Sequence, residues 1–418
     1  MKKKVVVIGA GPAGIMAAGV ASSNGANVML LEKNDIIGKK LLITGKGRCN
    51  ITNDTDIESL IENTPGNGSF LYSAFYTFSN SDLIAFLKEY GLDTKVERGG
   101  RVFPVSDRAK DVVDTLNKYL IKKNVRVQLN SSVQKILVDK KKVKGVALKN
   151  GEVIECDSIV LSTGGVSYPG TGSTGDGYDM AKKLGHTIIE LKPSLVPLLT
   201  EETWVKELQG LSLKNISISL FNKSGKKLYT DFGEMIFTHY GVSGPVILSS
   251  SRHILNYNFK DIKLSIDLKP ALTEEKLYER IQRDFLKFSK KQFKNSLDDL
   301  LPQKLIPVIV NLSNIDGQKY VNQITREERK TLTELLKNLT ITINGSRPVK
   351  EAIVTAGGIC TNEINPSTME SKLIQGLFFA GEIIDIDAYT GGYNLTIAFS
   401  TGFLAGINSS ELRSQEAE

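Results

Sequence analysis

Four short and almost unbroken apolar runs punctuate the chain: Val5–Ile8, Val28–Leu31, Ser158–Leu161 and Leu377–Phe379. Runs of this length predict strands covered on both faces, as in a doubly wound sheet. Between the first two lies an Ala-rich stretch that reads as a helix through about Ser23. Elsewhere the pattern changes. Val125–Leu129, Val133–Val138, Val143–Leu148 and Val153–Glu155 alternate as strands do, with Asn150-Gly151 as a hairpin turn. From Val196 to Leu268 the chain is strand-rich, with a hairpin over Ile216–Tyr229 that turns at Ser224-Gly225. From Thr273 to Leu339 it is highly charged and helical in period, reading as three or four amphipathic helices broken by Pro302 and Pro307.

The first apolar run leads into Gly9-Ala10-Gly11-Pro12-Ala13-Gly14, and the second ends in Glu32-Lys33, about 20 residues beyond the glycines. Gly9 allows the tight turn off the strand, Gly11 lets backbone approach a pyrophosphate, and Gly14 lets the helix pack on the sheet. The helix start at Pro12, Ala13 and Gly14 offers N–H groups and positive dipole to the phosphates. Glu32 is placed for the adenosine ribose hydroxyls. Strand, glycines, helix, strand and acid together predict a bound dinucleotide.

Several distant segments point to FAD. Gly38–Asn50 is a loop rich in glycine, basic and small polar residues, suited to lie along a pyrophosphate and ribityl chain; Lys40, Thr44, Gly45, Gly47, Arg48, Cys49 and Asn50 are its candidate contacts. Val133 opens one of the alternating strands and is a further candidate. The Ser158–Leu161 strand ends in Thr163-Gly164-Gly165, where backbone can press against a cofactor. Leu377–Phe379 leads to Gly381-Glu382, with the acid placed for the ribityl hydroxyls. Gly391-Gly392-Tyr393-Asn394 then opens a helix over about Leu395–Ala405, its positive end aimed at the electron-rich side of a reduced ring. Asp385 and Asp387 lie between, as a solvated turn or with a direct role. A second Gly-x-Gly-x-x-Gly at Gly170, Gly172 and Gly175 follows Tyr168-Pro169, which is no strand. It reads as a loop capping a helix that runs to about Leu184.

The motifs near both ends predict one discontinuous domain, 1–191 with 346–418, interrupted by a β-rich subdomain at 192–270 and a mainly helical one at 271–345. The fold class is α/β: a doubly wound, FAD-binding Rossmann-like domain carrying two insertions. Composition agrees with an enzyme. The 418 residues suffice for two or three cores, and the net charge of +7 is scattered, which makes nucleic acid an unlikely partner by charge alone. Cys49, Cys156 and Cys360 are odd in number and far apart, and no apolar run approaches a membrane span or a secretory signal. The expected place is the cytoplasm. No metal-ligand spacing is present, and no metal is expected.

The chain resembles the aminoacetone oxidase-like family of FAD-binding flavoproteins, which includes proteins described as bile-acid ene reductases. The resemblance is carried by the N-terminal glycines, Thr44–Asn50, Gly100-Arg101-Val102-Phe103-Pro104, Thr163–Gly165 with Ser167-Tyr168-Pro169, Phe237–Pro245 and Gly391–Asn394. It implies an FAD domain with an inserted β-rich subdomain and a small helical one. Thr396 departs from the pattern, where many relatives are expected to have Gln.

For chemistry, His239 in Phe-Thr-His-Tyr-Gly is either a proton donor and acceptor beside the flavin or a hydrogen-bonding residue in a domain seam. Arg101 suits a substrate carboxylate or a flavin phosphate, or forms a surface salt bridge. Tyr168 could wall the flavin or donate a proton. His186 and His253 look structural. The expected function is an FAD-dependent oxidoreductase that moves hydride between a small organic substrate and the flavin, at a site between the FAD domain and the insertion. NAD(P)H or oxygen is the expected redox partner. Two alternatives stand beside it: an NAD(P)H-dependent flavin or ene reductase, and an RNA-associated flavoprotein of the tRNA-modifying kind.

Overall fold

The computed structural model describes residues 2–411 and divides into two compact units. One runs to Pro193 and resumes at Val349; the other is Ser194–Pro348.

The first unit is built on a five-stranded parallel sheet, ordered Leu377–Phe379, Ser158–Leu161, Lys4–Ile8, Asn27–Leu31 and Arg126–Gln128. Val5 faces Ser158 on one side and Val28 on the other. Val5–Ile8 are buried throughout, which explains their lack of alternation. Two helices, Pro12–Ser23 and Tyr393–Ser410, meet through glycine. A Cβ on Gly402 would stand 2.3 Å from the Ala13 carbonyl oxygen, and one on Gly406 would stand 2.7 Å from that of Ala17. Only a residue without a side chain lets the backbones come so close. Both expected helices are present, and the C-terminal one is longer at each end than its apolar pattern suggested.

Three small sheets surround this core: the hairpin Val133–Asp139 and Lys142–Leu148 extended by Val153–Glu155; Thr52–Asn53, Arg101–Pro104 and Thr94–Glu97; and Ile188–Ser194 with Val354–Ile359.

The second unit contains a closed six-stranded barrel, ordered Leu198–Thr200, Gly241–Ser243, Lys227–Phe237, Ser212–Phe221, Ile262–Asp267 and Leu339–Ser346. The hairpin turn is where Ser224-Gly225 predicts it, with the Gly225 N–H donating to the Asn222 carbonyl (2.9 Å). Helices Glu274–Lys287, Ile306–Leu312 and Arg326–Lys337 lie between the last two strands. The helical pattern expected to end at Leu339 stops at Lys337, and the last residues of the mainly helical subdomain expected to 345 are strand. Leu339, Ile341 and Ile343 alternate buried with Thr340, Thr342 and Asn344, and the segment closes the barrel by pairing with Ile262–Asp267. Pro307 also starts a helix rather than breaking one, because the first turn needs no proline N–H.

Candidate functional site

The first strand leads into Gly9, where a φ of +99° and the 2.7 Å that would separate an added Cβ from the Ser162 carbonyl oxygen both demand glycine. A Cβ on Gly14 would meet the Gly9 carbonyl oxygen at 1.9 Å. Gly11 is different: nothing lies within 4 Å of where its Cβ would be. The helix begins at Pro12 with Gly11 as N-cap and no capping side chain, and its first bond runs from Ile15 N–H to the Gly11 carbonyl (2.9 Å). The N–H groups ahead of that bond lack helical partners, so the turn offers an anion site on its open side.

Glu32 closes this turn. Its Oε2 accepts from Ala10 N–H (2.8 Å), and its Oε1 accepts from Asn34 N–H (2.9 Å) and Nδ2 (2.7 Å). The Asn34 amide also donates to the Thr171 carbonyl (3.1 Å), and Lys33 pairs with Asp176 (2.9 Å) and bonds Thr174. Burial opposes ionisation of Asp176, but hydrogen bonds from Thr174 and Lys33 hold its carboxyl below the usual range. The second glycine triad is thus a loop, as expected, and it is fastened to the Glu32–Asn34 segment beside the first turn.

Midway, one carboxylate ties four segments together. Glu382 Oε2 accepts from Lys40 Nζ (2.8 Å), and Oε1 accepts from Thr355 N–H (3.0 Å) and Ser167 Oγ (3.2 Å). Lys40 Nζ donates also to Ser167 Oγ (2.7 Å). Gly165 makes room, since a Cβ there would lie 2.4 Å from Thr355 Oγ1. Gly164 and Gly381 are both left-handed, at φ +73° and +76°.

At the far end the small sheet meets the C-terminal helix. Gly392, at φ +104°, has no room for a Cβ, which would fall 2.3 Å from the Thr52 backbone. Thr52 Oγ1 and Thr396 Oγ1 share a buried hydrogen bond of 2.6 Å. The Thr396 hydroxyl thus stitches helix to strand. Asn53 Nδ2 donates to the Gly99 and Gly391 carbonyls (3.0 and 3.1 Å). The helix has no capping side chain, and its first bond runs from Thr396 N–H to the Gly392 carbonyl (3.1 Å). The Asn394 side chain is occupied by the Ala388 and Tyr389 backbone. Tyr393 is half-buried, and burial pushes its phenol above the usual range. Asp387 is buried and so belongs to no solvated turn, whereas Asp385 is half-buried and receives the Asn67 amide (3.0 Å) at the surface.

Other candidates stand in different settings. Arg48 pairs with Glu97 and with Asp107 (2.6 Å) and lies 4.1 Å over the Phe103 ring, and these partners absorb its charge. Gly45, Lys46, Gly47 and Cys49 of the same loop are all left-handed. Burial pushes the Cys49 thiol up to about 11, so it is no thiolate. Val133 is buried opposite Leu148. Arg101 is exposed, its Nε donating to the Arg98 carbonyl (3.1 Å). Tyr168 is left-handed at φ +51° and 38% exposed, its N–H on the Lys350 carbonyl (3.1 Å). In the second unit, His239 is exposed in the turn between Lys227–Phe237 and Gly241–Ser243, edge-on to Tyr240 at 4.7 Å. His186 is buried between Glu363 (3.1 Å) and Ser371 (2.9 Å), and burial lowers its pKa. His253 stacks on Tyr229 at 4.1 Å, and burial lowers its pKa to about 4.

The residues fit a dinucleotide. Thr163 Oγ1 and Asn50 Oδ1 are buried without a hydrogen-bond partner in the protein, Gly11 faces open space, and both helix starts are uncapped. FAD, when bound, would take its phosphates on the Gly9–Gly14 turn and its ribose hydroxyls on Glu32. Sequence reasoning missed Asn34, Asn53, Ser167 and Thr355 as members of this network. Ser167 lay inside a recognised motif; the other three carry no local signal, because tertiary pairing alone brings them in. Among the described residues no group of His, Cys, Asp and Glu could hold a metal ion, and no helix is long and apolar enough to cross a membrane.

Comparison with known proteins finds similarity along nearly the whole chain. The family model described as HI0933-like protein Rossmann domain matches residues 3–408. A 3-dehydro-bile acid delta(4,6)-reductase of Clostridium scindens is 32% identical over 413 residues, 98% of this chain and 99% of the relative. A ribosomal RNA dihydrouridine synthase of Haemophilus influenzae is 31% identical over 412 residues, 97% and 98% of the two chains. Among solved structures, the 3-ketosteroid-delta4-(5alpha)-dehydrogenase of Rhodococcus jostii RHA1 shares the fold, with a TM-score of 0.53 at 16% identity over 98% of this chain and 97% of that one.

Proposed function

The chain belongs to the HI0933-like family of FAD-binding Rossmann proteins, and from that premise we propose that it saturates a carbon–carbon double bond conjugated to a carbonyl. It is an FAD-dependent oxidoreductase. One observation carries the finer reading. Relatives that it matches over nearly their whole length are named for unlike substrates, yet their names describe one kind of step. A bile acid with an oxidised 3-position and Δ4,6 unsaturation is a conjugated enone, and dihydrouridine is uridine whose C5=C6 bond, conjugated to the C4 carbonyl, has been reduced. Bound FAD, once reduced by a two-electron donor such as NAD(P)H, would supply the hydride for such a step.

The chain's own residues serve the rest. The uncapped start of the Tyr393–Ser410 helix presents N–H groups and positive dipole where negative charge needs support. A proton must also reach the α-carbon, and Tyr168 and His239 are the candidate donors, each solvent-accessible. Arg101 is the candidate for holding a substrate anion.

The test is anaerobic mixing of the reduced holoprotein with a 3-oxo-Δ4 steroid acid and with uridine-containing RNA, following return of the oxidised flavin band. Reoxidation by at least one, with the saturated product recovered, is expected. Absence of reoxidation by both, while oxygen reoxidises the flavin at once, overturns the reading and returns the chain to the oxidases. NADH and NADPH, mixed with the oxidised protein, decide whether nicotinamide supplies the electrons.

A second reading, in which the reduced base lies within RNA, draws on a charge asymmetry between the two units that the scattered basic residues along the sequence conceal. Ser194–Pro348 holds 23 Lys and Arg against 17 Asp and Glu, whereas the rest of the chain holds 30 against 29. Nearly all the net positive charge therefore falls on the inserted unit, and a steep fall of RNA retention with salt is its signature.

A further inference from the structure

The turn between Thr94–Glu97 and Arg101–Pro104 carries two arginines, Arg98 and Arg101, separated by Gly99-Gly100. Both glycines are left-handed, at φ +78° and +70°, so the turn is tight and brings the two arginines to its opposite ends. A Cβ on Gly100 would lie 2.4 Å from Asn53 Oδ1, and Asp54 N–H donates to the Gly100 carbonyl (2.7 Å). The turn is therefore pressed against Thr52–Asn53. The Asn53 amide that holds Gly99 also holds Gly391, immediately before the uncapped start of the C-terminal helix. One side chain thus fastens the arginine turn to the loop that leads into the flavin end of the site.

The charges on this small sheet are not equal. Arg48 and Lys95 are neutralised by Glu97 and Asp107, whose carboxyls those cations hold below the usual range. Arg98 and Arg101 are exposed, and among the described residues neither forms an ion pair within 4 Å, although the charge of Arg101 adds to the field that holds the Glu97 carboxyl down. Arg101 commits only Nε, to the Arg98 carbonyl (3.1 Å), with its guanidinium carbon 5.9 Å from the Phe103 ring centre. That bond links the two residues and leaves both Nη groups of Arg101 directed to no protein acceptor.

We propose that Arg98 and Arg101 form an oxyanion subsite beside the flavin end, one that takes a carboxylate or phosphate carried by the substrate. Planar guanidinium groups grip such an oxyanion with two parallel N–H bonds. The inference rests on the double-bond reading above and adds what that reading lacks, the chemical class of the group remote from the reacting bond. A substrate so held is an anion, with its reducible bond turned away from the grip.

The experiment measures binding, not turnover, so its outcome is separable from that of the reductase reading. Oxidised holoprotein is titrated calorimetrically with two matched pairs: uridine 5′-monophosphate against uridine, and a bile acid against its methyl ester. In at least one pair the anion is expected to bind about tenfold or more tighter than its neutral partner, the scale of a charge-assisted hydrogen bond. That advantage is expected to vanish in R98Q/R101Q with flavin content unchanged, and to persist in R108Q, whose arginine pairs with Asp111. The pair that shows it tells a nucleotide phosphate from a small-molecule carboxylate. Equal binding of anion and neutral partner in both pairs, or an advantage that survives in R98Q/R101Q, overturns the subsite.

Discussion

Two glycine triads with the same spacing occupy the first unit, and they do different work. At Gly9, Gly11 and Gly14 a buried strand enters and a helix leaves; two of the three positions have no room for a side chain, and the third opens onto space. At Gly170, Gly172 and Gly175 no strand enters. Tyr168 precedes them in the left-handed region, Pro169–Thr171 forms a single 3₁₀ turn, and Gly170 has open space and no positive φ. Spacing alone is therefore not the motif. What makes a phosphate site is a strand that aims the turn and a helix whose first N–H groups are left over.

Substitutions sharpen the contrast. Gly14→Val should have the largest effect, because its Cβ would overlap backbone at 1.9 Å and neither segment can yield. A loss of several kcal/mol, or no folded protein, is expected by chemical denaturation. Glu32→Ala comes next. It leaves the Ala10 N–H without its acceptor and removes the proposed ribose partner, so FAD affinity should fall by about tenfold or more, read from flavin fluorescence during dilution. Gly172→Ala should be milder. Its φ of +104° disfavours a side chain, and the new Cβ would push the Asn34 amide at 2.4 Å, giving a stability loss of about 1–2 kcal/mol with flavin retained. Gly170→Ala should lie within about 0.5 kcal/mol of the parent. A Gly170→Ala variant as damaged as Gly14→Val would erase the difference between the triads.

The same contrast explains how far the sequence could be read. The parallel sheet was legible because each of its central strands is apolar beyond its first residue, and the first turn because its parts are local. The Leu339–Ser346 strand was not, although Leu339, Ile341 and Ile343 alternate correctly. Its partner Ile262–Asp267 lies some 70 residues earlier, across three helices. Thr52–Asn53 is too short for any period, yet it joins the small sheet to the C-terminal helix. Arg48 illustrates the converse: its motif is plain in sequence, but Glu97 and Asp107, which take up its charge, are distant and carry no signal of their own.

Gly11 offers the most direct test, because it separates cofactor from fold. Its added side chain would enter empty space at an ordinary φ of −79°, on the side where the pyrophosphate is to lie. The measurement is bound FAD per chain in purified Gly11→Val, by visible absorbance, beside its circular dichroism melt. A folded, colourless protein that does not regain FAD on addition is the predicted result. A yellow variant with one FAD per chain would contradict the placement of the dinucleotide on the first triad.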